Sequence, residues 1–204
     1  MKRNKEETKD RIIGAVGRLL ADAGFRKLGV NAVAREAGVD KVLIYRYFGG
    51  MPELLRAFGV SGDFWPTFDE LTGGDAEGLR AKPPAQATAE VLRGFARALR
   101  QRPLTGEILA WETVGRNELI EVLEEVREES AMRLLEELAP VSEHSGADLP
   151  AVTAILAAAI MYLVVRSRHV QVFNGVDIGS EDGWCRLEAA IAAICESCIG
   201  DKET

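Results

Sequence analysis

The sequence predicts an all-α protein with an amino-terminal three-helix domain of the helix-turn-helix type and a larger helical body behind it. Along most of the 204 residues, apolar residues recur three and four positions apart, which is the spacing of an amphipathic helix. No stretch shows the strict alternation of a half-buried strand. Residues 29–48, GVNAVAREAGVDKVLIYRYF, are predicted to form two short helices joined by a tight turn.

Two residues predict the turn between these short helices. Gly38 favours the left-handed backbone that ends the first helix, and Asp40 is suited to cap the second by accepting hydrogen bonds from its free N–H groups. Ile44 and Phe48, four residues apart, are expected to point the second helix inward. Its opposite face then carries cations and tyrosines, a composition suited to a helix that lies in the DNA major groove.

The remaining elements follow the same helical spacing. A helix is predicted from Thr8 to Ala23, preceded by a charged arm at residues 1–7. Pro52 suits the first turn of a connecting helix, and residues 72–84 are predicted to be a loop. The body is predicted to contain helices at residues 85–100, 105–112, 117–138, 149–173 and 181–199, with a turn at 174–175.

Charge is divided unevenly along the chain, although the formal net charge is −7. Residues 1–60 hold 12 Lys and Arg against 7 Asp and Glu, whereas the remainder holds 13 against 25. A basic module fused to an acidic body is typical of a nucleic-acid-binding protein, with chance clustering as the alternative. We predict a DNA-binding domain at residues 1–50 and a helical body at residues 51–204.

The sequence favours a cytoplasmic protein that does not cross a membrane. Its amino terminus is charged and lacks the apolar core of a secretory signal. The longest uncharged run, residues 149–165, is shorter than the roughly 20 residues of a membrane span, so we interpret it as a buried packing helix. Cys185, Cys195 and Cys198 do not make a disulfide framework.

Four short segments of the amino-terminal region match a known pattern: Val33-Ala34, Ala37-Gly38-Val39, Ile44-Tyr45-Arg46-Tyr47-Phe48 and Glu53-Leu54-Leu55. In these residues the chain resembles the tetracycline-repressor (TetR) family of bacterial transcription regulators, over roughly residues 8–58. It departs from that pattern at Gly29, where a Ser or Thr usually caps the second helix and touches phosphate. It also departs at Met51, where a phosphate-binding Lys is usual.

The resemblance implies that the starts of the second and third helices meet base edges. Asn31 is suited to adenine and Lys41 to guanine, while Val42 and Leu43 are expected near thymine methyl groups. The tyrosines and Arg46 are expected at phosphates, with local packing or a solvated surface charge as the alternatives. The predicted DNA-contacting residues are Asn31, Lys41, Val42, Leu43, Tyr45, Arg46 and Tyr47.

The resemblance also implies a two-fold dimer whose recognition helices enter successive major grooves of a palindromic operator. Residues 149–165 are apolar over most of the helix circumference and must therefore be covered on several sides. We expect the last two helices to pack against their symmetry mates as a four-helix bundle. The predicted interface residues are Ala154, Ala158, Val165, Ile191, Ile194 and Cys198.

A small-molecule effector is a further implication of the resemblance, which makes residues 51–204 an effector-binding and dimerisation domain. Release of DNA requires an effector that binds better to the geometry that does not fit DNA. Aromatic and methionine side chains on several helices either line a cavity in which charged residues serve as polar anchors, or they simply form part of the hydrophobic core. The candidates are Phe64, Trp65, Phe68, Phe95, Trp111, Glu112, Met132, Met161, Tyr162 and Arg166.

Enzymatic and metal chemistry find little support in the sequence. It contains no P-loop, G-x-S-x-G or H-E-x-x-H motif, so we predict neither catalytic residues nor a cofactor. His144 and His169 have no matched nucleophile, and Cys195-x-x-Cys198 lacks two of the ligands of a zinc site. Buried small residues at an interface explain these thiols best, with a redox sensor second.

The predicted function is therefore a DNA-binding regulator, most simply a repressor relieved by a small hydrophobic or amphipathic effector. The alternative is a constitutive DNA-binding or architectural protein whose body only dimerises.

Overall fold

The computed structural model describes residues 2–113, 115–142 and 148–200, and it confirms the all-α prediction. These residues form eleven α-helices, a short 3₁₀ turn (Phe25–Lys27) and one antiparallel pair of strands, β1 (Val172–Phe173) and β2 (Val176–Asp177). The helices are α1 (Lys2–Ala23), α2 (Val30–Ala37), α3 (Lys41–Phe48), α4 (Met51–Gly59), α5 (Phe68–Leu71), α6 (Ala76–Arg80), α7 (Pro84–Arg100), α8 (Pro103–Glu112), α9 (Glu118–Ser142), α10 (Leu149–Ser167) and α11 (Glu181–Ile199).

The first helix begins earlier than predicted. α1 starts at Lys2, so the prediction of a charged arm is wrong for residues 2–7, and Met1 lies outside the described residues. No Gly or Pro interrupts this segment. Thr8, where we expected the helix to begin, instead donates its hydroxyl to the Asn4 carbonyl one turn back (2.7 Å), as hydroxyls inside a helix do.

A short helix lies within the predicted loop at residues 72–84. α6 is capped by Asp75, whose side chain accepts a hydrogen bond from the Gly78 N–H (2.7 Å). An aspartate at this position satisfies one of the N–H groups that the first turn leaves without a helical partner. The prediction of a continuous loop is therefore wrong here.

The helix predicted at residues 149–173 ends at Ser167, and a hairpin follows it. Asn174 and Gly175 join the two strands with φ angles of 47° and 77°. Two consecutive residues with positive φ make the tight turn that matches the twist of paired strands. The predicted turn at 174–175 is confirmed, although the strands on either side of it were not predicted.

Contacts group the chain into two compact units. The first consists of Met1–Trp65 and Glu107–Glu129, and the second of Pro66–Gly106 and Ser130–Thr204. These units are defined by which residues pack together. The predicted boundary after residue 50 instead separates a DNA-binding part from an effector-binding part, and it stays a prediction.

The first unit is organised around the apolar face of α1. Ile12, Val16 and Leu20 of this helix are fully buried, and α1 packs against α2 and α4. α4 also approaches α9 closely at Gly59, where an added Cβ would lie 3.1–3.2 Å from the side chains of Leu123 and Val126. The small residue is thus what lets these two helices meet.

The second unit is organised around α7, which packs against α11, α10 and α5. α10 buries one stripe of its surface in the single chain: Leu149, Leu156, Ile160 and Val164. Its other apolar residues are exposed or half-buried, so the expectation of a buried packing helix is wrong for the single chain. By length and composition alone, α10 is long and apolar enough to cross a membrane.

Candidate nucleic-acid interface

The turn between α2 and α3 has the tight geometry that the sequence predicts. Gly38 adopts the left-handed backbone (φ 63°). The next N–H, of Val39, donates to the Ala34 carbonyl (2.9 Å), which satisfies a carbonyl at the end of α2. Asp40 accepts a hydrogen bond from the Val42 N–H (2.8 Å) and so caps α3. Both predicted turn residues are therefore confirmed.

α3 has a buried side and an open side. Ile44 is fully buried, as predicted, while Phe48 is half-buried. On the opposite side, 62% of Val42 and 55% of Tyr45 are exposed. Among the other predicted contact residues, Asn31, Lys41 and Arg46 are exposed, and Leu43 and Tyr47 are half-buried. All seven side chains are accessible at least in part, and their contacts with DNA stay a prediction.

One contact beside α3 was not predicted from the sequence. The Lys5 ammonium lies 5.5 Å from the centre of the Tyr47 ring, a cation–π contact. It exists because α1 is helical from Lys2, which gives Lys5 a defined place against α3. The missing helix breaker in KRNKEET is the sequence signal that indicates it.

The two departures from the TetR pattern have different surroundings. Gly29 is the N-cap residue of α2 with extended backbone and no side-chain cap, and a Cβ there would meet no atom within 4 Å. A Ser or Thr would therefore fit at this position. The glycine leaves α2 without a side-chain cap and without a polar group for phosphate, although packing does not require a glycine there. Met51 is half-buried in the first turn of α4.

Three aromatic effector-pocket candidates pack within the first unit. Phe64 and Trp65 are buried, and the Phe64 ring lies 5.2 Å from that of Phe58. Trp111 is half-buried and meets the Phe25 ring edge to face at 6.0 Å. These rings contribute to the packing of the unit, and their participation in effector binding stays a prediction.

The fourth candidate in the first unit, Glu112, is paired. Arg127 donates from its two terminal nitrogens to the two carboxylate oxygens of Glu112, at 2.8 and 2.6 Å. Only 10% of the Glu112 side chain and 13% of the Arg127 side chain are exposed. Burial raises the pKa of Glu112 above its ordinary value, and the lowering effect of Arg127 does not offset it. The pair ties α8 to α9, a role not predicted for Glu112.

The effector-pocket candidates of the second unit differ widely in exposure. Phe95 is buried, and Phe68 lies under the Arg133 guanidinium, 5.0 Å from its ring centre. About half of the Met132 and Tyr162 side chains is exposed. Met161 is half-buried and Arg166 is exposed. Their participation in effector binding stays a prediction.

A cavity of about 220 Å³ in the second unit has none of these candidates in its lining. Its polar wall is formed by Arg100, Arg102, Ser167 and Arg168, beside Trp184. The sequence signal for it is two arginine clusters, at residues 97–102 and 166–168. Neither cluster indicates by itself that the two meet.

The predicted dimer-interface residues are mostly open on α10 and α11. Ala154, Ala158, Ile194 and Cys198 are exposed, Val165 is half-buried and Ile191 is buried within the single chain. The buried Ile191 side chain thus belongs to the core of the unit, and self-association through the others stays a prediction.

The cysteines differ in reactivity. Cys195 is buried, and burial raises the pKa of its thiol to about 11, so little thiolate forms at neutral pH and oxidation is disfavoured. Cys185 and Cys198 are exposed. No group of three His, Cys, Asp or Glu residues suited to a metal occurs in the part of the chain that the structure describes. His144 lies outside that part.

Comparison with known proteins bears directly on the amino-terminal unit. The sequence profile of the family described as "Bacterial regulatory proteins, tetR family" matches residues 12–58, which include α2 and α3. The chain carries the TetR-family amino-terminal domain. No curated protein sequence matches the chain significantly.

Solved structures extend the likeness over nearly the whole chain. A TetR family transcription regulator from Marinobacter aquaeolei VT8 has a TM-score of 0.62 and 17% identity, covering 99% of this chain and 100% of its own. FadR from Bacillus subtilis, in complex with stearoyl-CoA, has a TM-score of 0.64 and 18% identity, covering 94% and 98%. HI0893 from Haemophilus influenzae, another TetR-family regulator, has 0.59 and 16%, covering 96% and 98%. The fold is that of TetR-family transcription regulators.

Replacing Arg127 by Met is expected to lower the free energy of unfolding by about 3 kcal/mol at neutral pH, because a carboxylate stays buried without its cation. Arg127 is the group that lowers the pKa of Glu112 against the effect of burial, so its removal should raise that pKa further, and the folded variant takes up this proton at a higher pH than the folded parent does. The deficit should therefore shrink as the pH falls. Urea denaturation at neutral and mildly acidic pH measures both effects.

Arg116→Met is the matched control, because Arg116 pairs with Glu121 and Glu124 on the exposed surface and such pairs contribute little. Equal losses of stability in the two variants would contradict the importance of the buried pair.

Proposed function

We propose that this protein is a homodimeric, cytoplasmic transcription regulator, without enzymatic activity, that binds a palindromic operator and releases it when a small hydrophobic effector binds. The observation that carries the proposal is the geometry of α3. Its buried Ile44 turns Lys41, Tyr45 and Arg46 outward, within a domain that matches the TetR family. Repression is the simplest mode of action, because a bound dimer blocks access to the DNA it covers.

The size and charge of α3 support a place in the major groove. Eight helical residues span about 12 Å, and the groove is about 12 Å wide. Lys41 is the first residue of the helix, and recognition helices contact bases chiefly through their amino-terminal residues. The excess of 12 Lys and Arg over 7 Asp and Glu in residues 1–60 adds a general attraction to phosphate.

Removing Lys41 is the sharpest test of this placement. Lys41→Ala should weaken operator binding by about 1–3 kcal/mol and relax the preference at one base position, because one base-edge contact is lost. Selection from a random pool of duplexes supplies the operator, and fluorescence anisotropy measures the affinity of each variant for it.

Arg116→Ala serves as the control, since it removes one exposed positive charge from the same unit outside the helix-turn-helix. It should leave the base preference unchanged. Should Lys41→Ala bind the selected operator as tightly as the parent, α3 would not be the reading helix.

The open surfaces of α10 and α11 support self-association. On α10, 69% of Ile155 and 51% of Tyr162 are exposed, with Ala158 exposed between them. Ile194 of α11 is 43% exposed. Contiguous apolar surface of this kind marks an interaction site, and small residues such as alanine let two helices approach closely. A second copy of the chain, related by a two-fold axis, would cover both helices.

Changing Ile155 to Arg should convert the dimer to a monomer, because the charge would be buried in the interface without a partner. Light scattering at micromolar concentration measures the mass. Val60→Arg is the control, since Val60 is equally apolar and 64% exposed but lies outside α10 and α11; its mass should stay that of the dimer. A monomeric parent would contradict the proposal, as would a parent that is soluble only in detergent.

Similar structures suggest which class of effector to test first. FadR from Bacillus subtilis is known in complex with stearoyl-CoA, and a protein from Clostridium perfringens of the same fold is a putative fatty acid metabolism regulator. Both support an acyl chain as the first class of hydrophobic effector to test. An effector-free architectural protein is the alternative.

Stearoyl-CoA should raise the thermal unfolding temperature and weaken operator binding, because it must bind the DNA-free geometry preferentially. Differential scanning fluorimetry and the anisotropy assay measure the two effects, with coenzyme A lacking the acyl chain as the control. If acyl-CoA and other apolar ligands changed neither quantity, the architectural alternative would stand.

A further inference from the structure

We propose that Lys5 is a positioning residue for Tyr47, and that the two side chains together hold the sugar-phosphate backbone of DNA beside α3. This inference rests on the DNA-binding function proposed above and adds a further part to the same interface. It gives a role to the first turns of α1, which lie outside the pair of helices α2 and α3.

The start of α1 has a fixed place beside α3. The helix is continuous from Lys2, and the Lys5 ammonium lies 5.5 Å from the centre of the Tyr47 ring. Further along the same helix, Ile12 and Val16 are fully buried, and α1 packs against α2 and α4. Lys5 therefore reaches Tyr47 from a helix that is anchored in the core.

Tyr47 lies on a flank of α3, between its buried and its open side. With 3.6 residues per turn, Tyr47 is about 60° around the helix from Ile44, whereas Val42 and Arg46 lie nearly opposite Ile44. Tyr47 is accordingly half-buried, and Val42 and Arg46 are exposed. A duplex that meets the open side of α3 would present its backbone to this flank, because phosphates border the groove on both sides.

The pair offers donors of two kinds to a phosphate. The ammonium of Lys5 has three N–H donors, and the phenol of Tyr47 has one O–H donor. The Tyr47 ring is neutral, so the contact orients the ammonium without cancelling its charge. Glu6, the acidic neighbour of Lys5 in the chain, lies 3.6 Å from the Lys9 ammonium. Phosphate oxygens accept hydrogen bonds from both kinds of donor.

The contact also restricts the Tyr47 side chain before DNA arrives. A partly exposed tyrosine can occupy several rotamers, and ordering it at an interface costs conformational entropy. An ammonium at the face of the ring favours the rotamer seen here. The Tyr47 hydroxyl is thereby held in one direction in the free protein, and less entropy is lost when it meets a phosphate.

Removing the ammonium is the first test. Lys5→Gln should weaken binding to the selected operator about tenfold, as loss of a charged hydrogen bond predicts. The slope of log affinity against log salt should become shallower by about 1 for each chain. Base preference should not change, because phosphate contacts do not read sequence. Fluorescence anisotropy at several salt concentrations, with operators altered at single bases, measures these quantities.

Two further substitutions control for charge. Lys27→Gln removes the same charge from an exposed lysine beyond the other end of α1, about 33 Å from the start of that helix. It should change affinity by about twofold or less, because distant exposed charges are screened by salt. Lys5→Arg keeps the charge and can stack on the ring, so it should retain most of the parent's affinity.

A double variant separates positioning from simple attraction. Tyr47→Phe keeps the ring but removes the hydroxyl that Lys5 is proposed to position. Lys5→Gln should therefore cause a smaller loss of affinity in the Tyr47→Phe protein than in the parent, because the hydroxyl is already absent. A lysine that only attracts phosphate would cause the same loss in both proteins.

Nuclear magnetic resonance tests the contact in the protein without DNA. The ring current of Tyr47 should shift the signals of the Lys5 methylene protons next to the ammonium upfield. Tyr47→Leu should abolish this shift, whereas Lys27→Gln should leave it unchanged. An unshifted Lys5 signal in the parent would contradict the proposal, whether or not the substitutions at Lys5 affect the fold.

The binding results that would overturn the proposal are full operator affinity of Lys5→Gln, equal losses in Lys5→Gln and Lys27→Gln, or additive effects of Lys5→Gln and Tyr47→Phe. If the parent binds its operator and Lys41→Ala weakens that binding, any of these results refutes only the role of Lys5. A parent that binds no duplex would refute the proposed function, and this inference with it.

Discussion

Burial of one side of α3 is the constraint on which the candidate interface depends. A side chain the size of Ile44 stabilises a fold by roughly 1.5–3 kcal/mol when it is fully buried. Ile44 is fully buried. Because a helix is rigid, an anchored underside sets the direction of every other side chain on it. Lys41 and Tyr45 are therefore presented to solvent by the packing of their neighbour.

Helix α10, unlike α3, has more apolar surface than one chain covers. Its sequence is apolar around most of the helix, yet within one chain only the stripe formed by Leu149, Leu156, Ile160 and Val164 is fully covered. A helix of eight residues such as α3 offers few side chains to a DNA groove, and DNA-binding dimers add to such contacts by binding two half-sites. The proposed dimer therefore depends on the open apolar surface of α10.

Ion pairs in the two units show that arginines have different roles according to their surroundings. Arg127 and Glu112 are enclosed and join two helices of the first unit. In the second unit, Glu188 of α11 is buried between Arg93 and Arg97 of α7, which ties together the two most extensively packed helices. Arginines that resemble one another in the sequence thus serve as internal links at some positions and line a cavity at others.

The sequence by itself determined the features that depend on one or two turns of chain: the Gly38 turn, the Asp40 cap and the two faces of α3. Such features follow from backbone preferences and helical periodicity. Only the tertiary structure decided that Arg127 pairs with Glu112 and that Arg100, Arg168 and Trp184 surround one cavity. These groupings join residues from separate helices, and local periodicity does not specify which helix faces meet.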